Sequence, residues 1–493
     1  MSQATTPALS PLELDVACTD QVQHVPGYAN DLISKPRAGG SLANTLPAPS
    51  RCDLPFELLS GIFILALSND EDFTKDRARS VPPLTPKPFT FCAVCSWWRS
   101  VALATPQLWK RVFVRVAPGI SGAEVKSKAT DLVSWVERSA SLPLTLFLSY
   151  GVNTSLNEER VAPIAEALNR YAARWEKLYL RYGGPRWPDP AAERKSRLFD
   201  IVGWSSLRRI YSFRKDSGPH GNETIPWAQL THLKIHAYLP YRQAMDILKG
   251  CSKLERLSIR VDPLQPFETL TTPIVLYNLT FISLTGDHIS EVMRSIRLPS
   301  LKKMHIHSMW WRRPTDLTSL LDFFTRSECI LDTLEITGSP HSEDLIAVLT
   351  HESCASLTSL SITISYFEHY ASITDEVLQR LTLGKDDSLC TNLKFLTLRR
   401  CIRGSFSALL DMVESRISSC AGQLPDDSEL LEYFHLQIKD IDGEEEKLDG
   451  IIERSGMEYT GDREKDTHYY SVSLQRQGFE PHLPADLEDI FDI

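Results

Sequence analysis

Long hydrophobic runs are missing from this chain. The longest unbroken apolar stretch, Ile62 to Leu67, is six residues, against the roughly 20 that a helix needs to cross a bilayer. No basic stretch followed by a hydrophobic one occurs in residues 1–30, which argues against a secretory signal and for an intracellular protein, cytoplasmic or nuclear. The N-x-S/T matches at Asn153, Asn222 and Asn278 are then uninformative. Cysteine is sparse, ten in 493 residues, too few for a disulfide scaffold, so reduced thiols are expected. Phosphate-cradling loops of the G-x-x-x-x-G-K-S/T type, a G-x-G-x-x-G after a strand, the G-x-S-x-G elbow and H-E-x-x-H are also absent. The catalytic chemistries that those spacings serve have no visible residues here, and a non-catalytic protein without cofactor or metal is expected.

What the chain does contain is enough apolar material for folded units: 42% hydrophobic and 24% charged residues over 493 positions, too long for one ordinary core and too apolar for a wholly disordered chain. The net charge of −10 is unevenly placed. Residues 440–493 hold 16 acidic and 5 basic residues, a net of −11, so the rest is close to neutral at +1.

Residues 1–50 combine Pro7, Pro11, Pro26, Pro36, Pro47 and Pro49 with small polar residues and read as a disordered arm. From Leu54 the character changes. Leu54, Leu58, Leu59 and Ile62 share a helical face, with Pro55 at a helix start and Asp53 as its N-cap. A proline-rich loop insertion follows over residues 68–88. A second helix is expected from Phe91 to Ala104, with Val94, Trp97, Trp98 and Val101 on one face and Pro106 ending it.

Past residue 130 an L-x-x-L-x-L pattern recurs about ten times, beginning at Trp175, Leu207, Leu230, Leu254, Leu279, Leu301, Leu331, Leu357, Leu393 and Leu431. Start-to-start distances of 22 to 38 residues are wider than the 20 to 29 of regular leucine-rich repeats. Between them a 0, 3, 4, 7 period marks helices, as at Val161/Ile164/Ala165/Leu168, Tyr241/Ala244/Met245/Leu248, Ile289/Val292/Met293/Ile296, Leu317/Leu320/Leu321/Phe324 and Phe406/Leu409/Leu410/Val413. Strand then helix, repeated, gives an α/β fold: an irregular solenoid or horseshoe over residues 116–475, with parallel strands on the concave face, helices outside, and an acidic tail at 476–493.

The string Leu54-Pro55-Phe56-Glu57-Leu58-Leu59, followed by Val94-Cys95-Ser96-Trp97-Trp98-Arg99 and Leu108-Trp109, resembles the F-box, here within residues 51–115. The whole layout is similar to F-box proteins with leucine-rich repeats of the kind found in mushroom-forming basidiomycete fungi. The resemblance is tight over about 55 residues and loose over the repeats. It implies a substrate-recognition adaptor of an SCF-type ubiquitin ligase, serving ubiquitin-dependent degradation. Leu54, Pro55, Leu58, Ile62, Val94 and Trp98 would contact the Skp adaptor of the cullin complex, and the repeats would hold a protein substrate. The residues alone leave another reading open, in which the helices only pack onto the first repeat.

Other constellations are weaker. Cys92 and Cys95 form a C-x-x-C without a second ligand pair. The pairs His232/His236 and His305/His307 lack a nearby carboxylate or thiol and read as exposed strand histidines. The outward positions of the repeats say more. In the first six repeats they are cationic and aromatic, without a carboxylate: Lys177, Tyr179, Arg181, Arg209, Tyr211, Phe213, His232, Lys234, Arg256, Arg260, Lys303 and His305 among them. Such a wall suits an acidic or phosphorylated substrate segment. The acidic tail as its occupant, a scaffold without ubiquitin chemistry, and nucleic acid stacked on Tyr179, Tyr211 and Phe213 are the competing readings. A pI near 5.8 speaks against the last.

Overall fold

The computed structural model describes residues 54–68, 88–116, 120–151, 158–183, 206–212, 225–261, 272–286, 289–308, 317–364, 373–385, 387–417, 430–439, 445–455, 457–459, 464–465 and 469–476. The arm at 1–50, most of the 68–88 insertion, Phe213 and the tail beyond Arg476 lie outside these residues. Contacts divide the chain into two units, Met1–Leu54 and Pro55–Ile493, and the described helices and strands all belong to the second.

It opens with helix α1 (Phe56–Ser68), whose first hydrogen bond runs from Leu59 N to the Pro55 carbonyl at 3.0 Å. Leu59 and Phe63, one turn apart, enter a small core with Phe91, Val101, Leu108 and Trp109, and the Phe63 and Phe91 rings stack at 4.2 Å. The expected single helix over 91–104 is two helices, α2 (Pro88–Cys92) and α3 (Ser96–Leu103). Pro88 starts a helix instead of forbidding one, because the first turn needs no N–H from it. The break falls where Cys95 is extended, its Sγ accepting from Trp98 N at 3.4 Å as the N-cap of α3. Val94 and Trp97 are therefore exposed while Val101 is buried, and the four residues do not share one face.

The rest is one long, open, mostly parallel sheet with helices between its strands. The strands are β1 (Arg111–Val116), β2 (Leu144–Gly151), β3 (Trp175–Gly183), β4 (Arg209–Ser212), β5 (His232–Leu239), β6 (Arg256–Val261), β7 (Ile274–Val275), β8 (Phe281–Thr285), β9 (Ile296–Arg297), β10 (Lys303–His307), β11 (Thr333–Thr337), β12 (Ser359–Thr363), β13 (Phe395–Arg399), β14 (Tyr433–Lys439), β15 (Met457–Tyr459), β16 (Glu464–Lys465) and β17 (Tyr469–Arg476). Their order follows the sequence from β1 to β14, with β7 and β9 forming a separate pair. All ten repeat strands are present. Two more precede them, so the sheet begins at Arg111, inside the stretch read from sequence as purely helical. It also does not stay parallel: β17 runs antiparallel to β14, and β15 and β16 antiparallel to β17. The connection from β14 to β17 holds the helix Glu445–Ser455 and strands β15 and β16.

The leading leucine of each unit explains the repetition. Leu230, Leu254, Leu279, Leu301, Leu331, Leu357, Leu393 and Leu431 are all fully buried. Just after each, one backbone bond recurs from unit to unit: Thr231 N to Arg208 O, Glu255 N to Thr231 O, Thr280 N to Glu255 O, Lys302 N to Thr280 O, Asp332 N to Lys302 O, Thr358 N to Asp332 O, Lys394 N to Thr358 O and Glu432 N to Lys394 O, all between 2.8 and 3.0 Å. Each unit thus completes the one before it, as stacking requires.

The helices are α4 (Gly122–Arg138), α5 (Glu158–Arg170), α6 (Tyr241–Gly250), α7 (Ile289–Arg294), α8 (Thr318–Ser327), α9 (Ser342–Thr350), α10 (Asp375–Leu381), α11 (Phe406–Ile417) and α12 (Glu445–Ser455). Sequence neighbours pack side by side, α4 on α5 and α7 through α12 in succession. Their apolar faces join the alternate strand residues in a single core that runs the length of the sheet. At its start Trp109 and Trp135 tie the small helical core to α4: Trp135 Nε1 donates to the Trp109 carbonyl at 2.9 Å, and the rings meet edge to face at 5.1 Å.

Candidate functional site

Two surfaces carry the residues singled out from the sequence. The first is α1. Its inner face is used by Leu59, 1% exposed, and Phe63, but its outer face is equally apolar, with Leu58 58% exposed, Ile62 49% and Leu65 70%. Glu57 is its only charged residue. Glu57, Ser60, Gly61 and Ser68 share one side, and the apolar remainder is wider than the single buried face an amphipathic helix needs. Leu54, Pro55 and Val94 are exposed as well, whereas Trp98 is half-buried, its ring 5.0 Å from that of Phe63, and so supports the core. Leu65, Trp97 and Leu103, also exposed, were not among the sequence candidates. Leu65 could have been found, since it continues the Leu58, Ile62 series by one more turn.

The second surface is the sheet face whose residues alternate with the buried leucines. Strand register lines these residues up in rows. One row reads Arg111, Thr145, Lys177, Arg209, His232, Arg256, Phe281, Lys303. The next reads Phe113, Phe147, Tyr179, Tyr211, Lys234, Ser258, Ser283, His305, Glu335. Lys177, Arg209, Arg256 and Lys303 thus share a row, while Lys234, Tyr211 and His305 lie in its neighbour. Arg260 falls in a third, in register with Thr285 and then His307. A register shift between Ile235 and Tyr238 sets Tyr238, not His236, opposite Arg260. Arg181 is in β3, in register with Ser149; its side chain is outside the described set.

The second row opens with an aromatic ladder that sequence reading only half found. Phe113, Phe147, Tyr179 and Tyr211 stack in turn at 4.5 Å with ring planes within 12° of parallel. Phe113 and Phe147 were missed because the repeat was read only past residue 130 and β2 lacks its leading leucine, although Trp109, Val112 and Val114 keep the spacing and the alternation in R-V-F-V-R-V was a signal for β1. Further along, the Arg256 guanidinium lies 4.6 Å over the Phe281 ring.

Electrostatics divides this face. Burial lowers the Lys177 pKa, and Arg209 beside it adds to the effect; Glu176 opposes it, and Lys110 and Arg111 push it further down. At the other end the expected exposed histidines are enclosed. His305 is 5% exposed, packed edge to face on Phe281 at 4.8 Å, with its Nε2 3.9 Å from Glu335 Oε2. Burial, reinforced by Arg260, holds His307 at about 4; burial with Lys234 and Arg260 holds His236 at about 3; burial with Arg399 holds His435 at about 4. His236, His307 and His435 are therefore neutral at pH 7. Glu335 moves the other way, pushed by burial up to about 7 against the pull of Arg399. The outward residues Phe281, Thr285, His305, Thr333 and Glu335 are thus buried too, which alternation alone could not reveal, while Ser283, Lys303 and His307 are half-buried.

Cys92 is buried, its thiol pushed up by burial, while Cys95 caps α3. Among the described residues no group of three or more His, Cys, Asp or Glu is placed to hold a metal ion, and no helix is long and apolar enough to cross a membrane. Comparison with protein-family models finds no match, and comparison with curated proteins finds none either.

Proposed function

We propose that the protein is a substrate-recognition adaptor of an SCF-type ubiquitin ligase, its F-box-like helices docking a Skp adaptor and its leucine-rich-repeat-like solenoid holding a protein client. One observation carries this reading: Leu59 and Phe63 of α1 fill the small core, while Leu58 and Ile62, apolar residues one turn apart on the same helix, stand 58% and 49% exposed. The outer residues Leu58, Ile62 and Leu65 then serve association, and the exposed Leu54, Pro55, Val94 and Trp97 would add to the same contact. Capping the solenoid is a weaker explanation of the helices. The capping contacts run through Trp109 and Trp135 and leave the outer face of α1 unexplained.

The test is co-purification of the full chain with a Skp adaptor and cullin. Wild type is expected to retain both, and Leu58→Asp and Ile62→Asp to lose both with an unchanged circular dichroism spectrum. Retention by both variants would overturn the proposal.

A further inference from the structure

His236 and Ala237 of β5 have no counterparts on β6: the pairing passes from Ile235 opposite Ile259 directly to Tyr238 opposite Arg260. Such a bulge re-aims side chains out of the regular alternation. Here it brings His236 within reach of the Arg260 charge and sets Tyr238 beside it. On the other side the same row continues through Thr285 to His307, on which Arg260 also acts.

Arg260 is a cation that this cluster leaves uncompensated. Burial lowers its pKa, opposed by Tyr238, yet a guanidinium stays protonated. Among the described residues it has no hydrogen-bond or ion-pair partner, and Glu335, the carboxylate enclosed on the same face, is pulled by Arg399 instead. A half-buried charge with its N–H donors unused is costly, and an anion from outside the chain relieves it.

The surroundings select that anion. With His236 held at about 3 and His307 at about 4 by burial, both imidazoles offer an N–H at pH 7 but no charge. Lys234 acts on His236 and not on Arg260. One fixed positive charge among neutral donors matches a monoanionic carboxylate, whereas a phosphate dianion calls for a second cation. Towards β11 the outward residues Phe281, Thr285, His305 and Glu335 are already buried. A chain cannot run flat across them to present an internal aspartate or glutamate, but one that terminates at Arg260 fits.

We propose that Arg260, His236, His307 and Tyr238 form a pocket for the C-terminal carboxylate of a client protein, with the guanidinium forked onto the carboxylate oxygens and the neutral donors around it. This rests on the client-binding reading of the sheet face and does not depend on the adaptor contact. The fork is what an arginine supplies and a lysine does not.

The experiment presents the immobilised full chain with four degenerate, N-acetylated peptide pools: one with a free C-terminal carboxylate, one amidated, one amidated with glutamate as its last residue, and one amidated with phosphoserine there. The free-carboxylate pool is expected to be retained roughly ten-fold over each of the others. Arg260→Gln should abolish the preference without lowering the melting temperature, because it removes a charge that has no internal partner. Arg260→Lys, which keeps the charge should the glutamine variant fail to fold, should weaken the preference through loss of the fork. Equal retention of the free and amidated pools, equal or stronger retention of the glutamate or phosphoserine pool, or a preference that survives Arg260→Gln would overturn the assignment. Skp co-purification is read in parallel on the same wild-type preparation, so failure here and failure of the ligase reading are separately visible.

Discussion

Leu58 and Leu59 are consecutive, yet one is 58% exposed and the other 1%, whereas the leading leucines of the repeats are buried without exception from Leu230 to Leu431. The difference is one of self-sufficiency. Each repeat hides its apolar stripe beneath the next, so the solenoid completes its own interior. The small helical unit is near the size at which a core becomes marginal, and it leaves Leu58 and Ile62 of α1 exposed.

The largest effect that sharpens this contrast lies in the solenoid core. Phe324→Ala, at a fully buried site, is expected to cost about 3–5 kcal/mol in urea denaturation. Next is Arg416, fully buried on α11, which donates to the carbonyls of Leu381 at 2.6 Å, Leu389 at 2.8 Å and Cys390 at 3.1 Å. Burial lowers its pKa to about 10, so it remains charged. Arg416→Ala leaves these carbonyls unsatisfied and should cost about 3 kcal/mol, and lysine, lacking the fork, should not restore it.

The polar groups that the repeats enclose make the contrast depend on pH. Glu335 has a folded value of about 7, above its ordinary 4.5, so the folded chain keeps a proton that the unfolded chain gives up. Its burial is harmless below pH 4.5 and fully unfavourable above pH 7. Glu335→Gln should therefore stabilise by about 2 kcal/mol at pH 8.5 and by almost nothing at pH 4.5. His435, held at about 4 from an ordinary 6.5, has the opposite sign: the unfolded chain binds the proton first, and stability falls as the pH drops from 6.5 towards 4. His435→Gln is expected to remove about 1 kcal/mol of the loss between pH 7 and 5.5. Smallest of all, Leu58→Ala and Ile62→Ala should change stability by less than about 0.5 kcal/mol. A cost there equal to that of Phe324→Ala would erase the contrast, because it would make the outer face of α1 part of the core.

The repeat strands were legible because L-x-x-L-x-L names the inward residues directly, and the ten units it marked are ten strands of the sheet. Strand β1 escaped because Trp109, Val112 and Val114, which keep the spacing of Trp175, Leu178 and Leu180, lie in the stretch read as F-box-like, and β2 because Pro143 stands where the leading leucine is expected. The antiparallel end escaped because β15, β16 and β17 carry no repeat. The break between α2 and α3 depends on the Cys95 cap, a local competitor of helix that periodicity does not register. Lys177, Arg209, Arg256 and Lys303 were each legible as outward-facing, but not as one row, since register is set by neighbouring strands and not by any one of them. The enclosure of His305 and Glu335 was hidden for a similar reason: alternation says which face a residue takes, not whether that face is open.

The measurement that bears most directly on the function is hydrogen–deuterium exchange of the full chain with and without a Skp adaptor. Protection concentrated in Phe56–Ser68, with the strands from Lys303 to Arg399 unchanged, is the expected result. An α1 that exchanges at the same rate in both samples would contradict it.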